Sequence, residues 1–236
     1  LVAFPTMPDS PPARPRIRAM EPQDLPFAVH QHQLHFPDGF FVRLGPRFLT
    51  EYYRAFLTSP CACAYIAEAP EDPMGYLVGV TEPTSHRDHV FRVHGRRLAV
   101  RAFAAFLRHP ALAWFFVRTR ATLYGGKLLA RLRPAAATTR PESRGAPAVL
   151  THVAVKPQAQ SKGVGSTLIK QFEADVAEAG CPRMILVTAS GSSGAGGYYR
   201  RSGWDAREEH CTPDGLRLTM YERMVTCRNQ AEPRVD

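Results

Sequence analysis

The sequence predicts an α/β domain of about seven strands with helices on both faces of the sheet, and three observations carry that expectation. Short apolar stretches of strand character recur at 16–20, 61–68, 74–81, 149–155, 183–188, 204–211 and 216–225. Between several of them the apolar residues switch to the 3.6-residue period of a helix packed on one face. The third observation is residues 149–172, VLTHVAVKPQAQSKGVGSTLIKQF, where an apolar strand enters a glycine-bearing turn and then a helix.

In chain order, residues 1–15 hold Pro5, Pro8, Pro11, Pro12 and Pro15 and read as a disordered tail. A strand over Arg16 to Met20 follows. Glu21-Pro22-Gln23-Asp24 opens a helix reaching about His35, with Pro22 suited to its first turn. The stretch HFPDGFFVRLG reads as a loop. A second helix starts at Gly45-Pro46, carries Phe48, Leu49, Tyr52, Tyr53, Phe56 and Leu57 on one face, and stops at Pro60. Cys61 to Glu68 and Met74 to Thr81 are paired strands around the turn APEDP. Within the next stretch, Val90 to Leu107 and Leu112 to Leu132 are basic amphipathic helix candidates separated by Pro110, and 134–147 reads as a return loop. After the helix that begins at Val164, RMILVT over Arg183 to Thr188 is a buried strand. Trp204 to Cys211 and Leu216 to Val225 close the chain as a hairpin around TPDG.

The central stretch carries the chemistry. Pro157 ends the strand 149–155, and Gly163 and Gly165 flank Val164 at the start of a helix whose apolar face is Val164, Leu168, Ile169, Phe172 and Val176. A helix start leaves unpaired N–H groups, and with the positive end of the helix dipole they suit a diphosphate. The spacing is neither Gly-x4-Gly-Lys-Ser/Thr nor Gly-x-Gly-x-x-Gly, since Leu168 stands three residues after Gly165. What is present is Gln160-x-x-Gly163-x-Gly165, five residues beyond a Val-Ala-Val strand.

That pattern resembles the coenzyme A pyrophosphate loop of the GNAT superfamily, the general N-acetyltransferases. The order strand, helix, helix, strand, strand matches the first half of the same fold. The resemblance covers residues 16–227, read as one domain, except an insert at 84–148 between the third and fourth strands. It implies a mixed, mostly antiparallel sheet splayed between the strand at 149–155 and the next. It also implies acetyl-CoA as co-substrate and transfer of the acetyl group to an amine by direct attack in a ternary complex. The acceptor expected by default is a small molecule or amino sugar. A coenzyme-binding module without turnover, acting as a sensor or membrane-surface interaction protein, is the alternative class.

Residue by residue, the resemblance assigns the coenzyme to Gln160, Ser161, Lys162, Gly163, Val164, Gly165 and Ser166, and its pantetheine arm to the strand edge at Val153 and Val155. Tyr199-x-x-x-Gly203-Trp204 resembles the family's Tyr-x-x-x-Gly-Phe, whose tyrosine protonates the leaving thiolate. A phenol is a competent donor at neutral pH. Ser192 takes the place of a family Asn seven residues earlier, among Gly191, Gly194, Gly196 and Gly197, and remains a candidate coenzyme contact. Some relatives place a catalytic Glu where this chain has Val149. Regular alternation would set Thr151 on the face of Val149 and turn His152 away from it. His35 and Asp38 fall in the loop where relatives bind acceptors, and with Thr151 and His152 they complete the acceptor-side candidates. His30, His32 and His35 lack metal-ligand spacing, so no metal is expected.

Charge adds a separate feature. The net charge is +9, yet residues 84–148 hold thirteen Lys/Arg against two Asp/Glu and the remainder is slightly acidic. The insert therefore reads either as a helical pair docked on the domain with its arginines solvated, or as a face for an anionic membrane or an acidic or lipid-linked acceptor. Nucleic acid is not favoured, because no recognition-helix or zinc pattern accompanies the charge. Five cysteines without Cys-x2-Cys pairing, and no charged-then-apolar leader, lead to the expectation of a reducing cytoplasm, peripheral to the membrane at most.

Overall fold

The computed structural model describes residues 15–70, 72–117, 146–191, 195–212 and 215–226. They build one seven-stranded sheet in the order β1-β2-β3-β4-β5-β7-β6. The strands are β1 (Arg16–Ala19), β2 (Ala62–Ala69), β3 (Asp72–Val80), β4 (Ala148–Val155), β5 (Arg183–Ala189), β6 (Asp205–Cys211) and β7 (Arg217–Met224). Every neighbouring pair is antiparallel except β4 with β5. The strands expected from alternation are all present, within two residues at each end.

The helices are α1 (Leu25–His35), α2 (Phe40–Arg43), α3 (Pro46–Thr58), α4 (Pro83–His89), α5 (Gly95–Arg108), a further helix α6 at 110–117, α7 (Val164–Glu178) and α8 (Gly196–Arg201). Two sheet faces carry separate cores. On one, α7 buries Leu168, Phe172 and Val176 against Leu77, Leu150, Met184 and Leu186. On the other, α1 and α3 bury Leu25, Val29, Leu49, Tyr53 and Phe56 against Ile66, Tyr76, Val78 and Ala154. Each of these side chains is almost fully shielded, and burial of such a residue stabilises by about 1.5–3 kcal/mol.

Three departures from the sequence reading have physical causes. The stretch read as a loop after α1 contains the turn of helix α2, which seats Phe41 and Val42 on the second core. The basic helix expected from Val90 begins earlier, because Pro83 fits a first helical turn; α4 runs into α5 through a π-helical turn at Val90–His94. The second basic helix is seen only to residue 117, and the rest of its expected span, like the return loop at 134–147 up to residue 145 and the tail at 1–14, lies outside the described residues.

The third departure matters most. The register between β3 and β4 pairs Val78 with His152 but Gly79 with Leu150, leaving Thr151 as an extra residue. A bulge of this kind shifts the alternation by one. His152 therefore joins the α1/α3 face together with Val149, where regular alternation would have turned it away. The insert attaches to the same side: Leu98, Ala102, Ala105 and Phe106 of α5 pack with Leu44, Phe48 and Leu112.

Candidate active site

The site begins where the sheet opens. β4 bonds to β3 along its length but meets β5 only at Ala148 with Met184 and Val149 with Ile185. β5 instead pairs with β7 over its whole length. Beyond Val149 the two parallel strands part, and the β5-facing edge of β4 has no strand partner among the described residues. Buried backbone groups demand partners, so this edge offers hydrogen bonds to an extended ligand arm. Val153 and Val155 turn their side chains into the α7 core, which leaves the backbone facing the gap.

At the end of that edge the chain turns through Pro157–Ala159 into the loop before α7. Ser161 and Gly163 both have positive φ, 61° and 79°. At Gly163 the left-handed backbone suits glycine, and a Cβ there would meet nothing within 4 Å. The first helical bond is Thr167 N–H to Gly163 O at 3.0 Å, so the preceding N–H groups have no intrahelical acceptor. A Cβ on Gly165 would sit 3.6 Å from Val155, which brings the helix start close to the strand end. This is a cradle open on the side where a diphosphate would approach, and the residues fit coenzyme A. Val164 is buried, leaving only its N–H for the loop. Gln160 donates to Val155 O at 3.2 Å and reaches His35 Nε2 at 3.5 Å, so it ties the loop to β4 and α1. Lys162 and Lys156 border a cleft of about 670 Å³ between this turn and α1.

Across the opening lies α8. Tyr199 is buried at 5% exposure against Trp204 and Tyr221, and burial raises its phenol, keeping it protonated. Its neighbour Tyr198 places its hydroxyl 2.9 Å from Ser166 Oγ in the first turn of α7. Sequence reasoning passed over Tyr198, although the Tyr198-Tyr199 pair was the available signal. Ser192 lies outside the described residues.

On the α1/α3 face, His152 is ringed by aromatic side chains. Its centroid is 4.7 Å from His32, 5.4 Å from Phe36, 5.9 Å from Tyr52 and 6.1 Å from Tyr53. Its Nδ1 is buried without a hydrogen-bond partner among the described residues. Burial, then the neighbouring His32, pushes the His152 imidazole down to about 3. Burial pushes His32 down to about 4. A hydrogen-bonded chain runs from His32 Nδ1 to Tyr53 OH and on to Tyr76 OH, 2.7 Å at each step. The chain was invisible in the sequence, its members being 21 and 23 residues apart. His35 stands beside Gln160 and Asp38 is exposed in the turn before α2, so the four acceptor-side candidates do not form one cluster. Among the described residues no group of His, Cys, Asp and Glu could hold a metal ion. None of their helices is long and apolar enough to cross a membrane.

A sheet parted at its parallel pair, with a glycine-bearing helix start at the opening, is an arrangement into which coenzyme A fits. Residues 134–225 match the family model of the acetyltransferase (GNAT) domain. Solved structures agree in fold. Ard1 from Thermoplasma volcanium superposes with a TM-score of 0.54 at 13% identity, over 90% of this chain and 99% of that one. The ribosomal-protein-S18-alanine N-acetyltransferase from Escherichia coli gives 0.52 at 12% identity, over 93% and 99%. An aminoglycoside 6'-N-acetyltransferase complexed with coenzyme A gives 0.53 at 11% identity, over 94% and 99%. None of the curated proteins compared with the chain matches it. Over residues 134–225 the chain is similar to the acetyltransferase (GNAT) domain, and its fold is the one these solved acetyltransferases share.

Proposed function

We propose that the protein transfers the acetyl group to a primary amine of a small molecule or amino sugar, by direct attack in a ternary complex. The observation that carries this reading is the parting of β4 from β5 beside the Gly163 cradle. The N–H groups of 163–166, helped by Lys162 and Ser166, hold the diphosphate. The free β4 edge at Val153 and Val155 aligns the arm that carries the thioester. Acetyl-CoA supplies the acetyl group on a sulfur that leaves as a thiol once protonated.

The amine approaches from the α1/α3 face. An ammonium near the aromatic ring of Phe36, Tyr52 and His152 loses hydration, which favours its neutral, nucleophilic form. His152 stays uncharged at neutral pH and does not repel it. Nitrogen bonds to the acetyl carbon, the carbon–sulfur bond breaks, Tyr199 gives its proton to the sulfur, and solvent takes the nitrogen proton and returns one to the Tyr199 phenolate. Tyr198 orients the first turn of α7 through Ser166. No covalent acyl-enzyme step is needed, and Cys63 is held as a thiol, its pKa pushed up to about 12 chiefly by burial.

Some structural neighbours act on amines: one is a variant of the spermidine N-acetyltransferase from Vibrio cholerae, another the aminoglycoside enzyme above. The test is thiol release from acetyl-CoA over polyamines, amino sugars, amino acids and peptides. The reading predicts release that depends on one small-molecule amine class, with one acetylated product per thiol. Release only with peptide amines would contradict the small-molecule acceptor, and release at the same rate without any amine would contradict amine transfer.

A further inference from the structure

We propose that helix α5 of the basic insert and the α2–α3 junction form a binding site for a phosphate-bearing anion, separate from the coenzyme cradle. Between them lies a cleft of about 850 Å³. Arg43 and Arg47 stand on one wall, and Arg96, Arg97, Arg101 and Arg108 of α5 on the other. No Asp or Glu is among its described lining residues. Arg97, Arg101 and Arg108 follow helical spacing, so three guanidinium groups share one stripe of α5.

The stripe is held from behind. α5 packs through Leu98, Ala102 and Phe106. Glu51 of α3, 1% exposed, takes a hydrogen bond from His94 Nδ1 at 2.8 Å and faces Arg97 at 3.7 Å and Arg101 at 3.8 Å. Burial alone would raise the Glu51 carboxyl; His94, Arg54 and Arg97 outweigh it and hold it below the ordinary value. One buried carboxylate thus fixes two arginines. Arg43 lies over the Phe115 ring at 5.0 Å. Arg43, Arg47, Arg96 and Arg108 have no carboxylate within 4.0 Å among the described residues.

Four guanidinium groups without a carboxylate partner among the described residues, beside two that share Glu51, line one concavity and repel one another until an anion enters. The planar fork of arginine matches phosphate oxygens two at a time, and several forks suit a ligand carrying more than one phosphate or a cluster of phosphate headgroups. Leu44 and Ala105, both buried, give the cleft an apolar floor. The coenzyme cradle belongs to α7 on the opposite sheet face, so one ligand does not serve both places.

The test uses the full chain and inorganic tripolyphosphate in calorimetric titration at low salt. Three proteins are compared: wild type, Arg47→Gln with Arg96→Gln, and Arg87→Gln with Arg92→Gln. The last pair is exposed on the same insert outside the cleft and removes the same charge. The proposal predicts at least tenfold weaker binding for the cleft pair, wild-type binding for the control pair, and equal coenzyme A affinity in all three. Flotation with phosphatidylglycerol and phosphatidylcholine vesicles identifies the source. Binding only to the anionic vesicles, lost in the cleft pair, assigns a lipid headgroup, whereas tripolyphosphate binding without flotation assigns a soluble phosphate. Three results would overturn the proposal: no binding of either probe, equal weakening in both pairs, or displacement of tripolyphosphate by coenzyme A.

Discussion

Replacing His152 by Phe should make the fold less sensitive to acid, and the size of the effect follows from the ring's surroundings. His152 is enclosed by His32, Phe36, Tyr52 and Tyr53 and its Nδ1 has no partner among the described residues, so an aromatic ring without nitrogen removes no Nδ1 hydrogen bond to them. The folded imidazole titrates at about 3, against about 6.5 in an unfolded chain. Its stability contribution is complete above the unfolded value and is lost as pH falls from there toward the folded value, because only the unfolded chain takes up the proton. Between pH 7 and pH 5 that loss is about 2 kcal/mol for this one residue. His32 and His86, each pushed down to about 4, add losses of the same sign. The difference between wild type and variant, not the wild-type slope, therefore isolates His152. Urea unfolding followed through the buried Trp204 at pH 7 and pH 5 measures it. The reasoning predicts that the variant loses about 2 kcal/mol less than wild type across this window. An equal loss in both proteins would mean that His152 is charged or solvated in the fold, and the acceptor-side aromatic ring would have to be abandoned.

The other predictions concern the opening and the core beneath it. Tyr199→Phe should lower kcat by about tenfold or more with unchanged acetyl-CoA affinity. Tyr198→Phe, which removes the bond to Ser166, should instead weaken coenzyme A binding severalfold; isothermal titration beside steady-state kinetics tells the two apart, and identical behaviour would void the division of roles. A Cβ on Gly79 would lie 2.5 Å from Cε2 and Cζ of the fully buried Phe172 ring. Gly79→Ala should therefore cost about 1–3 kcal/mol, read as a lower urea midpoint at constant m value.

The elements were legible in the sequence because their signals are local. Periodicity marked α3 and α7, proline and glycine marked their ends, and a positive φ at Gly163 is what a glycine at a helix start announces. The same locality explains what was missed. A single extra residue at Thr151 reverses the facing of His152, and nothing in the composition of β4 records a register shift set by β3. Tyr198 and Tyr199 are equivalent as residues, and only the position of Ser166 in space tells which hydroxyl meets α7. His94 finds Glu51 across 43 residues, so the anchoring of the insert was hidden although its charge was plain.

The central claim is that the turn before α7 binds the coenzyme diphosphate. Titration of coenzyme A into wild type and Gly163→Glu tests it most directly. Gly163 sits at φ 79° with open space around it, so the substitution adds about 1–2 kcal/mol of backbone cost and sets a carboxylate where the diphosphate would lie. The account predicts saturable one-to-one binding to wild type and none detectable to the variant, with the variant still unfolding cooperatively. Unchanged affinity in a folded Gly163→Glu protein would contradict it.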